Sequence, residues 1–71
     1  METTIQSPNY PEKKYCIRWN SNDKQVFIVF QLKDKSETSF LVGENAKSIE
    51  NAKLVAGTYL KDNEDRFFFK S

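Results

Sequence analysis

The chain has no histidine, one cysteine, two glycines, two prolines and no long hydrophobic run. Without histidine it lacks the side chain that most often serves as a general base near neutral pH and most often binds a transition metal. The single cysteine, Cys16, rules out a disulfide within the chain and, with no histidine to join it, a cysteine–histidine zinc site. Gly43 and Gly57 are too few and too far apart for a glycine-rich phosphate loop. The acidic "DNED" at residues 62–65 has neither the sixth-place glycine nor the closing glutamate of a calcium loop, so it reads as a solvated turn. These shortages point away from an enzyme, a cofactor and a metal.

No apolar segment approaches the roughly 18 residues of a membrane span. The first residues also lack the basic and apolar regions of a secretory signal. With a lone cysteine, these features lead to the expectation of a cytoplasmic protein without a membrane partner. Charge excludes two further classes. Eleven basic and ten acidic residues leave a net charge of +1, which suits neither an acidic nucleic-acid mimic nor a basic tail that holds nucleic acid by charge alone.

What is there is a single small domain of 71 residues. At that size folding removes only about 60% of the chain's surface from water, so the core is thin. Disulfides and metals being excluded, association with a copy or a partner is the remaining way to reinforce it.

Residues 1–12, with both prolines and no periodicity, are expected to form an extended or disordered arm, and residues 13–71 a single α+β domain. Residues 15–20, "YCIRWN", alternate with period two, and "KQVFIVFQLK" at residues 24–33 reads as a second strand, apolar on both faces. The turn formers "SNDK" between them predict a hairpin. "TSFLVG" at residues 38–43 adds a third strand. The period then changes. "NAKSIENAKLVAG" places Ile49, Ala52, Val55 and Ala56 on one helical face, with Ser48 as N-cap (Asn45 the alternative), Glu50 in the first turn and Gly57 as terminator. "TYLKDNEDRFFFKS" then reads as a closing hairpin whose last strand is residues 66–70. The expected fold is therefore an antiparallel sheet of about five strands with one short helix on one face, in the order β-β-β-α-β-β.

Alternation sorts the strand residues into two faces. Tyr15, Ile17, Trp19, Val26, Ile28, Phe30, Leu32, Phe40, Val42, Phe67 and Phe69 make an apolar face for the helix to cover. The opposite face mixes Arg18, Phe27, Val29, Lys33, Leu41, Arg66, Phe68 and Lys70 with Cys16 and Gln31. One short helix cannot cover both, so these eight residues are the candidate partner-binding set. Scattered exposed apolar side chains are common, and the set has meaning only if strand order makes it contiguous.

Cations beside aromatics could hold single-stranded nucleic acid by phosphate contact and base stacking. "DRFFFKS" is similar to the aromatic strand of an RNA recognition motif but lacks its glycines, and that fold needs a second helix. Aromatics with arginine equally suit a protein interface. A meander followed by the "SIENAKLVAG" helix and a terminal hairpin resembles small phage-encoded inhibitors, including anti-CRISPR proteins. The resemblance transfers no site residue. It implies a stoichiometric inhibitor of a host protein or nucleoprotein complex concerned with defence or nucleic-acid processing, in the host cytoplasm. A homodimeric structural protein whose outer faces pair is the third reading.

Overall fold

A computed structural model of the chain describes residues 1–67. It is an α+β fold of four antiparallel strands and one helix: β1 (Glu2–Gln6), β2 (Lys14–Asn20), β3 (Gln25–Gln31), β4 (Glu37–Gly43) and α1 (Ile49–Asn63), closed by a 3-10 turn at Glu64–Phe67. The sheet is a simple meander in the order β1-β2-β3-β4, so among the described residues β1 and β4 are its two edges.

The three central expectations for strands hold. The β2–β3 hairpin turns through Lys24, whose positive φ of 59° lets its N–H reach the Asn20 carbonyl at 2.7 Å. The β3–β4 turn uses Lys35 in the same left-handed region, and the Asp34 carboxylate accepts from the Ser36 N–H at 3.0 Å. Ile17 faces Ile28 and Trp19 faces Val26 across β2 and β3, which puts the most apolar rungs at the centre of one face.

Two expectations at the ends are corrected. Residues 2–6 are extended, as one alternative had it, but as strand β1, in register with β2 from Glu2↔Arg18 to Gln6↔Lys14. The weak alternation of Thr3 and Ile5 suffices because the backbone pairs with a strand already in place. The second correction concerns the closing hairpin. Tyr59 and Leu60 belong to α1, and Arg66 and Phe67 lie in the 3-10 turn rather than a fifth strand; Phe68, Phe69 and Lys70 lie outside the described residues. Gly57 does not end the helix. Its φ is not positive, and the stripe Ala52, Ala56, Leu60 continues with period four past it into Glu64.

Ser48 is the N-cap as expected, in extended conformation, its hydroxyl accepting from the Asn51 N–H at 3.1 Å. The core joins Tyr15, Ile17 and Trp19 of β2 and Val26 and Ile28 of β3 to Ala46, Ala52, Ala56 and Leu60. Alanines on the helix let it sit close to the sheet, and the buried Trp19 indole donates to the Ala46 carbonyl at 3.0 Å. The approach is tight at Gly43, where an added Cβ would collide with Val55 Cγ1. A bulge near Val26 and Phe27 sets Gly43, not Val42, opposite Val26 and so puts the one β4 residue without a side chain under the helix. Phe40 and Leu32, expected in the core, are exposed, Phe40 by 46%. Phe40 is on the covered face, but on edge strand β4 it packs edge-on against Phe30, ring centroids 5.7 Å apart, and its other side stays exposed. Leu32 has left β3 for the turn.

Candidate functional site

The outer face is the side of the sheet away from α1, and its layout follows from register. Phe27 on β3 stands between Arg18 on β2 and Leu41 on β4, while Val29 stands between Cys16 and Ser39. Directly opposed side chains lie about 5 Å apart at Cβ, so the cross-strand pairs Phe27–Leu41 and Val29–Cys16 lie side by side as one block. Four of the eight predicted residues, Arg18, Phe27, Val29 and Leu41, are thus brought together.

Arg18 is not a free cation. Its guanidinium donates to Glu2 on β1, with Nε–Oε2 at 2.7 Å, and reaches across β3 to Glu37 Oε1 on β4 at 3.0 Å. Sequence reasoning missed both carboxylates, since neither the strand at residues 2–6 nor the start of β4 at Glu37 was foreseen. Hydrogen bonding and charge from Arg18 hold the Glu2 carboxyl below its usual range. The pairs are exposed and add little to stability. Their effect is on what the face offers: Glu2 and Glu37 offset Arg18 and Lys14, the four charged strand residues of this face.

Cys16 lies beside Glu2, its Sγ 3.7 Å from Oε1, and burial followed by that negative charge raises its thiol pKa. It is a small apolar side chain here and a poor nucleophile.

The remaining predicted residues do not join the block. Lys33 is exposed in the β3–β4 turn, and Arg66 is exposed in the 3-10 turn on the helical layer, next to Asp65 and Glu64. Phe68 and Lys70 lie outside the described residues.

A second polar cluster was not foreseen at all. Glu64, 1% exposed, accepts from the Ser7 hydroxyl at 2.6 Å, the Tyr15 hydroxyl at 2.6 Å and the Asn9 amide at 3.1 Å. Burial works to raise its pKa, but the hydrogen bonds from Ser7, Tyr15 and Asn9 outweigh that and leave it below the usual carboxylate range. Tyr15 is pushed well up, by burial first and by its bond to Glu64. Ser7 Oγ also accepts from the N–H groups of Asn9 and Tyr10, so the cluster ties the β1–β2 connection to the end of α1. Its donors enclose the carboxylate and no substrate can reach it, which makes the cluster a clamp.

Among the described residues no group of His, Cys, Asp and Glu is placed to hold a metal ion, and no helix is long and apolar enough to cross a membrane. Compared with protein-family models, with curated proteins and with solved structures, the chain matches none.

Proposed function

We propose that the chain is a protein-binding module that acts by occupying a surface and carries out no reaction of its own. In the form implied by its resemblance to phage inhibitors, it blocks a host protein or nucleoprotein complex stoichiometrically. The observation behind this reading is the contiguous block of Phe27, Val29, Leu41 and Cys16 on a sheet face that no helix covers among the described residues. Central apolar anchors ringed by polar groups are the usual anatomy of a protein interface.

The charge layout weighs against the single-stranded nucleic-acid alternative. Phosphate neutralisation supplies most of such affinity, and on this face Arg18 is already bound to two carboxylates. The test is affinity capture from the native host with and without nuclease, using the natural chain, Phe27→Ser and Leu41→Ser. A protein that survives nuclease and is held about thirtyfold more weakly by the variants, equivalent to about 2 kcal/mol, supports the proposal. Loss of every partner with the nucleic acid would reverse it.

A further inference from the structure

Five large apolar side chains stand exposed among the described residues: Met1, Leu32, Phe40, Leu41 and Leu54. Four of them border one line, the outer edge of β4, with which no strand pairs among the described residues. Leu32 lies in the turn leading into it and Phe40 and Leu41 on its two faces. Leu54, 70% exposed, lines with Val42, Val55 and Tyr59 the groove between α1 and that edge. The other edge is different in kind. β1 is Glu-Thr-Thr-Ile-Gln, with one half-buried apolar side chain.

Hydrogen-bond alternation tells which groups the β4 edge offers. Met1 and Trp19 exchange N–H···O bonds, at 2.9 and 2.8 Å, so the odd-numbered residues of β2 bond to β1 and its even-numbered ones to β3. Carried across β3, the alternation makes Thr38 and Phe40 the residues of β4 that bond inward, in agreement with the Leu32 N–H bonded to the Ser36 carbonyl at 2.8 Å. Glu37, Ser39 and Leu41 therefore turn their N–H and C=O groups outward. A line of outward groups flanked by apolar side chains is a template for another strand.

We propose that the occupant is β4 of a second copy, paired antiparallel about a two-fold axis through Ser39. In that register Glu37 pairs with Leu41 of the other copy, Ser39 with Ser39 and Leu41 with Glu37, so all three outward residues are satisfied. Centring on Phe40 would pair only Ser39 with Leu41. No like charges oppose each other, because Glu37 meets a leucine. On the inner face Phe40, whose ring already meets Phe30 edge-on, packs over Thr38 of the other copy, which covers its exposed side. The product is an eight-stranded sheet whose outer face is doubled and still open. The pairing is edge to edge, not the face-to-face dimer considered from sequence, and it does not depend on the proposed partner-binding role.

Two measurements test it. Light scattering of the natural chain across a dilution series should show twice the monomer mass at high concentration, falling to the monomer. Ser39→Pro removes an N–H that points to solvent in the single copy, a substitution edge strands tolerate. It should weaken dimerisation at least tenfold while leaving the circular dichroism spectrum unchanged. A natural chain that stays monomeric throughout, or a folded Ser39→Pro that dimerises normally, would overturn the pairing. Should Ser39→Pro fail to fold, cysteine cross-linking decides. Facing residues of a bonded antiparallel pair have Cα atoms about 5.5 Å apart, within reach of a disulfide. In a Cys16→Ser background, Ser39→Cys should oxidise to a covalent dimer and Glu37→Cys should not. The reverse pattern, or no cross-link at either, would overturn it.

Discussion

Glu64 is an anion buried at the C-terminal end of a helix, where the peptide dipoles already present negative charge. Three donors from the β1–β2 connection and β2 hold it there. A carboxyl whose folded pKa lies below its unfolded value stabilises the fold above the unfolded value, near 4.3, and loses that contribution as pH falls through the folded one. Stability should therefore decline on acidification below about pH 4.5, and Glu64→Gln should be less stable at neutral pH but flatter through that acid range. Urea unfolding at a series of pH values reads both. Tyr15→Phe removes a bond to a charged group and should cost about 1.5–3 kcal/mol in the same assay. Nothing in the sequence announces this cluster, because its members are 49 or more residues apart between Glu64 and its donors. Turn chemistry alone made "DNED" a loop.

The elements divide by how local their causes are. β2, β3, β4 and the start of α1 were legible from alternation, turn residues and the Ser48 cap, all of which act within a few residues. The end of α1 was not. Glycine commonly terminates helices in the left-handed region, but Gly57 is held helical by the Leu60 and Glu64 contacts beyond it. It has open space where a Cβ would go, so Gly57→Ala should stabilise by about 1 kcal/mol, the ordinary helix-interior difference. Gly43→Ala should do the opposite, at about 1–3 kcal/mol, because Val55 fills that space. Thermal melts of the two variants should move in opposite directions. β1 was read as an arm with extension as one outcome; edge pairing supplies the order that its composition does not.

At the scale of the whole molecule, the sequence distinguished a uniformly apolar sheet face from a mixed one, and Phe27, Val29 and Leu41 fall on the mixed one together. It did not separate centre from edge, which depends on strand order. Phe40 was therefore taken as core, and the two carboxylates that hold Arg18 went unseen. Lys33 was assigned to the face by extending β3 past its end, and Arg66 by expecting a fifth strand where the chain makes a 3-10 turn. The two faces should differ in what a substitution does. Ile28→Ala, within the core, should cost about 2–5 kcal/mol of folding stability, whereas Phe27→Ser should leave the domain folded. The most direct measurement is the affinity of the nuclease-resistant host partner for folded Phe27→Ser, set beside Leu54→Ser, an exposed helix variant away from that face. Binding reduced about thirtyfold by Phe27→Ser and unchanged by Leu54→Ser is the expected result; equal binding by the two variants would contradict the outer face as the contact surface.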